Sequence, residues 1–188
     1  MNALMAVLTA MSVMADPAPP AAAPGLSDPQ IATVALTAHR IDIERGKLAQ
    51  KKTRKAEVKQ FADQMVTDHG TGEKEVLALA RKLKVKPEES EVTKGLKSEA
   101  ADKMLLLKKL SGEDFDKAYV DAEVAYHEGV LAAIDQALIP GAKNEELKKA
   151  LENTRPTIDG HLQHARGLQK LVAKGSAADQ PPPPPAPK

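Results

Sequence analysis

The stretch NEELKKALENTRPTIDGHLQHARGLQKLV, residues 144–172, decides the fold class. Side chains that are apolar, or that can be buried as Thr154 and His161 can, recur at intervals of three and four residues: Leu147, Leu151, Thr154, Ile158, His161, Ala165, Leu168 and Val172. This spacing places them on one face of an α-helix, which must be buried against other elements. The stretch therefore predicts an amphipathic helix, and Pro156 predicts a kink near residues 152–156 because proline removes a backbone hydrogen bond.

Two further long helices are predicted before this one. The first begins at Ser27-Asp28-Pro29, a cap, an acid and a proline in the first turn, and continues to about residue 51. The second begins near Thr53 and ends before Pro87. Their inward faces are Ile31, Val34, Ala38, Ile41 and Leu48 on the first, and Val58, Ala62, Met65, His69, Val76, Ala80 and Leu83 on the second.

A third long helix opens at Ser111 and continues to about Leu138, ahead of Pro140-Gly141. Residues 88–110 lie between the second and third long helices and are predicted to form a crossover that contains a short helix. Four long helices joined by two short turns and one longer connection are typical of an antiparallel four-helix bundle with one long crossover. The predicted fold class is therefore all-α and ferritin-like, with one bundle domain over residues 27–174.

The composition excludes several classes of function. The chain has no cysteine, so disulfides, thiolate nucleophiles and thiolate metal sites are absent together. Lys and Arg total 27 against 26 for Asp and Glu, and aromatic residues make up 2%, which together disfavour nucleic-acid binding. The chain also has neither a Gly-x-Ser-x-Gly turn nor a glycine-rich phosphate loop.

Both ends differ from the helical region. Residues 1–15 form an apolar run with Val13 and Ala15 in the small-residue positions of a signal-peptide cleavage site, although no positive charge precedes it. Residues 16–26 are predicted to be a Pro/Ala-rich linker and residues 175–188 a Pro-rich tail. These features predict an exported, periplasmic or outer-membrane-associated protein without a transmembrane helix in the mature chain, whose tails could meet an envelope partner.

Three of the five histidines fall on inward faces near mid-helix: His69, His127 and His161. Carboxylates lie close to them in the sequence, namely Glu44, Asp68 and Glu123. Histidines and carboxylates that project inward from facing helices are the usual ligands of a metal ion in a helical bundle. The pattern therefore predicts a divalent or iron-type metal at these six residues.

Other interpretations remain open at this point. The histidines could instead form a polar layer, hydrogen-bonded to acids or to Tyr119 or Tyr126, in a purely structural or interaction module of the envelope. The register places Glu44 about 10 Å from the level of His69, at 1.5 Å per residue. The Glu-x-x-His pairs of di-iron proteins are absent, so an oxidase or catalase is disfavoured. His39 and His164 lie off the inward faces and are predicted to be surface or rim residues.

Several short blocks resemble a known family. They are ERGKLA at 44–49, VKQFA and MVTDH at 58–62 and 65–69, GEDFDKAY at 112–119, followed eight residues later by His127, and PTIDGHL at 156–162. Together they resemble the bacterial ferritin-like family named domain of unknown function 4142, over about residues 28–172. The resemblance implies an exported four-helix bundle of uncharacterised activity, with Glu44, Asp68, His69, His127 and His161 at marked positions. Arg45 stands where the family usually has leucine, and Gly160 where an acid is common.

Overall fold

Every regular element that the computed structural model describes is helical. It describes residues 25–178, with side chains as far as 173. The elements are α1 (Asp28–Lys52), α2 (Ala56–Lys82), α3 (Glu91–Lys109), α4 (Gly112–Ala133), a π-helical turn (Ile134–Leu138), α5 (Ile139–Gly141) and α6 (Glu145–Ala178). The predictions of a signal peptide, most of the linker and most of the Pro-rich tail lie outside the described residues.

Local sequence signals set the helix ends where they were predicted. The Ser27 side chain accepts from the backbone N–H of Gln30, and the Gln30 side chain accepts in return from the backbone N–H of Ser27. This reciprocal cap satisfies donors that the first turn of α1 would leave unpaired. At the same end of the hairpin, where the Gln30 side chain donates to Glu88, Lys84 adopts the left-handed conformation (φ 54°) and ends α2 before Pro87.

One segment differs from the prediction. The crossover holds α3, a full helix of 19 residues instead of a short one, and only Thr93 and Leu107 of α3 are buried. So few buried positions give a weak periodic signal, which explains why its length was underestimated. As predicted, Pro156 lies inside α6, which continues through it, and the kink near residues 152–156 stays a prediction.

The long helices pack as two hairpins, α1 on α2 and α4 on α6, with α3 lying across α1 and α4. One apolar cluster surrounds Phe61, Met65 and Tyr119, and a second surrounds Ile31, Ile134 and Leu151. All the predicted inward residues of α6 are buried except Thr154, which is partly buried. No helix among the described residues is long and apolar enough to cross a membrane.

The two hairpin helices α1 and α2 lie close together at Gly46. A Cβ atom there would lie 2.9 Å from Cγ2 of Val66 and 3.1 Å from the backbone oxygen of Ala62. We expect Gly46→Ala to lower the free energy of unfolding by about 1–3 kcal/mol through overpacking. Gly70→Ala, where a Cβ meets nothing within 4 Å, is the matched control and should raise it by about 0.5–1 kcal/mol. Equal effects of the two substitutions in chemical denaturation would contradict this packing.

Candidate metal centre

Three histidines from three helices meet between the two hairpins. His69 belongs to α2, His127 to α4 and His161 to α6, and all three are at most 2% exposed. Their ring centroids are 5.1 Å apart for His69 and His161, 5.6 Å for His127 and His161, and 5.7 Å for His69 and His127. The convergence predicted from the sequence is therefore present, at the level that separates the two apolar clusters.

Each of these rings has one nitrogen with a polar partner and one without. His127 Nδ1 lies 2.9 Å from the backbone oxygen of Glu123, and His161 Nε2 lies 2.9 Å from Oδ2 of Asp68. His69 Nδ1 lies 3.0 Å from Nδ1 of His39. The remaining nitrogens, His69 Nε2, His127 Nε2 and His161 Nδ1, are buried and have no hydrogen-bond partner among the described residues.

The spacing of the rings suits one metal ion. One ring nitrogen from each histidine lies within 4.8 Å of one from each of the others. Around a tetrahedral ion with metal–nitrogen bonds of about 2.0–2.1 Å, the nitrogens would be about 3.4 Å apart. A movement of the rings by about 1 Å would therefore bring three imidazoles into bonding distance and leave a fourth position open.

Burial keeps the histidines in the neutral form that binds metals. Desolvation lowers the pKa of His127 to about 4 and that of His69 to about 2, and it also lowers the pKa of His161. Neighbouring imidazoles act in the same direction on His69 and His127, because each would repel a second positive charge. Near neutral pH the cluster consequently presents lone pairs without competition from bound protons.

His39 is a correction to the sequence analysis, which placed it at the surface or rim. It is buried, and its Nδ1 contacts Nδ1 of His69. Burial lowers the pKa of His39 to about 4. Gly72 makes room for the ring, since a Cβ there would lie 2.4 Å from Cε1 of His39. His39 is thus a fourth core histidine, in contact with the ring of His69. His164 is partly buried and contacts Gln64, in keeping with a rim position.

The predicted carboxylates divide into three cases. Asp68 is half-exposed, and its Oδ2 contacts Nε2 of His161. Glu123 is fully buried one turn before His127. Glu44 is exposed on α1 and lies apart from the histidines, in agreement with the register argument against it. Its place next to the cluster is taken by Asp42, which is buried 3.4 Å from His69 Nδ1 and which the sequence analysis missed.

Asp42, Glu123 and Arg45 form a buried charged group beside the histidines. Burial raises the pKa of both carboxyl groups, to about 7 for Glu123 and well above the usual value for Asp42. The two carboxyl groups lie close enough to interact, and the charge of Glu123 raises the pKa of Asp42 further. The Arg45 guanidinium opposes both shifts and stacks on Tyr126, 4.4 Å from the ring centre. One anion and one cation therefore balance each other here.

This charged group bears on how many ions the site can hold. Ligand atoms of Asp42, Glu123 and His127 also lie within 4.8 Å of one another. However, the guanidinium of Arg45 already supplies the positive charge for these two carboxyls, and a cation placed among them would be repelled. The three-histidine group has no such fixed cation of its own, and it is the better metal site of the two.

The geometry can be compared with known proteins. The family described as domain of unknown function, DUF4142, matches residues 13–168. The chain belongs to the DUF4142 family. No curated protein and no solved structure matches it.

The buried histidines make the stability of the metal-free DUF4142 protein depend on pH. Between about pH 6 and 5 the folded protein keeps His39, His69 and His127 neutral, with pKa values of about 4, 2 and 4, and the pKa of His161 is also lowered. In the unfolded chain these histidines take up protons, whereas Asp42 and Glu123, whose folded pKa values are raised, lose protons on unfolding. Unfolding thus binds about one to two protons net, the second from His161. We expect the free energy of unfolding to fall by about 1–3 kcal/mol for each unit by which the pH falls between about 6 and 5.

Chemical denaturation of chelator-treated protein at several pH values measures this slope. His127→Asn should reduce it by about one proton, because one fewer group titrates. A free energy of unfolding that is constant from about pH 6 to 5 would show that the histidines are not buried in neutral form.

Proposed function

We propose that this DUF4142 protein binds one divalent transition-metal ion through His69, His127 and His161. The observation that supports the proposal is the pattern of ring nitrogens: each histidine uses one nitrogen for a hydrogen bond and leaves the other buried without a partner. A buried polar atom without a partner costs about 1–3 kcal/mol. Three such atoms on three neighbouring rings are better explained by a shared ligand than by three separate costs.

The outer contacts also favour a metal site over a polar layer. Metal-binding histidines usually donate their second nitrogen to a carboxylate or a backbone carbonyl, which fixes the tautomer and the ring orientation. The His161–Asp68 and His127–Glu123 contacts have this form. In a polar layer, the ring nitrogens that have no partner here would be hydrogen-bonded to acids or tyrosines. The buried hydroxyl of Tyr119 also has no partner among the described residues, so it does not play that part.

The ligand set restricts the ion. Three neutral imidazoles suit Zn²⁺, Cu²⁺, Ni²⁺ or iron and disfavour Mg²⁺ and Ca²⁺, which prefer oxygen ligands. Three protein ligands leave a coordination position open, which distinguishes this centre from closed structural zinc sites. We infer that the protein binds the ion and that one coordination position on the ion can exchange its ligand. We assign the protein no reaction.

We further propose that the helices form a ferritin-like, antiparallel four-helix bundle. The support is the packing of α1 on α2 and of α4 on α6, with α3 as the crossover and the site between the hairpins. The proposed centre departs from a di-iron site, since Arg45 provides the charge that a second ion would bring to Asp42 and Glu123. One ion per chain is therefore the proposed stoichiometry.

Metal analysis of the mature protein, residues 16–188, tests the function. We expect about one equivalent of a transition metal in protein purified without an affinity tag, and less than about a tenth of that in the triple variant His69→Gln, His127→Asn, His161→Gln. Circular dichroism checks that the variant is folded. A native protein without metal, together with a triple variant that has lost stability, would make the histidines structural.

Asp68 gives a second test, because it touches a ligand ring without binding the ion. Asp68→Asn should weaken metal binding by about 10- to 100-fold, since it removes the charge that holds His161. The matched control is Asp63→Asn, one turn earlier on α2, where the carboxylate pairs with exposed Lys59. Competition with a chromophoric chelator measures both affinities. Equal affinities in the two variants would contradict the assigned role of Asp68.

Export is a separate proposal that rests on the sequence. The apolar run at 1–15 and the small residues Val13 and Ala15 support cleavage before Asp16. The expected result is a periplasmic protein whose N-terminal residue is Asp16, as determined by intact-mass analysis of fractionated cells. An uncleaved chain in the cytoplasmic fraction would overturn the proposal.

A further inference from the structure

A large cavity leads from the histidines towards the end of the fold where α1 begins and α6 begins. It has a volume of about 930 Å³ and lies between the two hairpins. His69, His127, His161 and Asp68 line one end, and the second apolar cluster, with Val34, Ile134 and Leu151, lines the other. The volume is within the range of about 300–1,000 Å³ typical of pockets for small organic ligands.

Small side chains on facing helices account for the space. Ala38 on α1, Gly72 on α2, Ala133 on α4 and Ala150 on α6 all line the cavity. Larger side chains at these positions would fill the interior between the hairpins. Cavities of this kind with apolar walls bind apolar groups favourably, because burial of such groups removes their surface from water.

The polar end calls for an anionic group. Three neutral imidazoles leave the double charge of a divalent ion uncompensated, and the half-exposed Asp68 offsets part of it. The exposed charged residues that line the cavity are of both signs: Glu75, Glu99, Glu146, Lys103 and Lys149. They give the cavity no strong net charge, so the ion is the main attraction for an anionic group.

We propose that the cavity binds an amphipathic carboxylate, with its head group at the open position of the ion and its aliphatic chain along the apolar wall. The inference rests on the proposed metal centre and adds a ligand class to it. The carboxylate head group supplies the negative charge that the three histidines do not supply. The aliphatic chain of the ligand occupies the apolar space between the hairpins.

Titration calorimetry on the cobalt(II)-loaded protein tests the proposal, with octanoate as the probe. Acetate carries the head group alone, and octan-1-ol carries the chain alone. We expect octanoate to bind at least tenfold more tightly than either, and to change the visible spectrum of the cobalt ion, as carboxylate coordination does. Metal content is measured first, so that the two proposals are tested separately.

A pair of variants tests where the aliphatic chain of octanoate binds. Ala133→Leu fills the cavity and should weaken octanoate binding at least tenfold without loss of cobalt; Ala132→Leu, on the neighbouring exposed position, should not change either. Full cobalt content with octanoate no tighter than acetate would overturn the carboxylate proposal and leave the metal centre intact. A protein that takes up no cobalt would overturn both. The comparison of octanoate with acetate in the unchanged protein decides the matter even if Ala133→Leu fails to fold.

Discussion

The variant His127→Asn is expected to bind its metal at least about 100-fold more weakly than the unchanged protein. Sites with four ligands bind zinc with about 10–16 kcal/mol, or about 3 kcal/mol for each ligand. Asparagine can keep the contact that His127 Nδ1 makes with the backbone oxygen of Glu123, but it has no atom in the place of Nε2. The substitution therefore deletes a ligand and preserves the surrounding contact.

His164→Asn is the matched control for this loss. His164 lies one turn after His161, its Nδ1 contacts Gln64, and neither residue lines the cavity. We expect its metal affinity to equal that of the unchanged protein in competition with a chelator of known affinity. A loss of the same size in both variants would indicate a general effect on folding, and no loss in His127→Asn would remove His127 from the ligand set.

The second large effect is expected from Arg45→Leu. The substitution leaves the buried Asp42–Glu123 pair without its compensating charge and should lower the free energy of unfolding by about 3–5 kcal/mol near pH 8. Near pH 5 the cost should be smaller, because both carboxyls have raised pKa values and are protonated in the folded state. The destabilisation should therefore grow as pH rises through about 7, the pKa of Glu123.

Arg40→Leu, on the same helix, separates this effect from the general loss of an arginine. Arg40 is half-exposed and pairs with Glu73 at the surface, where ion pairs contribute little to stability. Denaturant unfolding at about pH 5 and pH 8 measures both variants. A cost of Arg45→Leu that does not change with pH would contradict the assigned charge balance in the core.

The inward face of α6 shows how much the sequence could predict. Its three-four spacing placed Leu147, Ile158 and His161 in the core, where the structure has them. The meeting of His69, His127 and His161 could also be predicted, since each lies on an inward face near mid-helix. A clear period in an amphipathic helix carries this information because one face alone is buried.

His39 and Asp42 could not be predicted in the same way. α1 contacts α2, α3 and α4, so it is buried on more than one side and a single inward face does not describe it. The sequence analysis assigned one face to α1 and therefore left out His39. Position 44 lies about 200° around the helix from position 42, which is why Glu44 points to solvent while Asp42 points inward.

The measurement that tests the metal centre most directly is crystallography of the native, metal-bound protein at the absorption edge of its metal. The predicted result is one anomalous peak per chain, about 2.0–2.1 Å from His69 Nε2, His127 Nε2 and His161 Nδ1. Nε2 of His161 should remain hydrogen-bonded to Asp68. A peak bound by other residues, or three imidazoles that hydrogen-bond to water or to one another with no peak between them, would contradict the account.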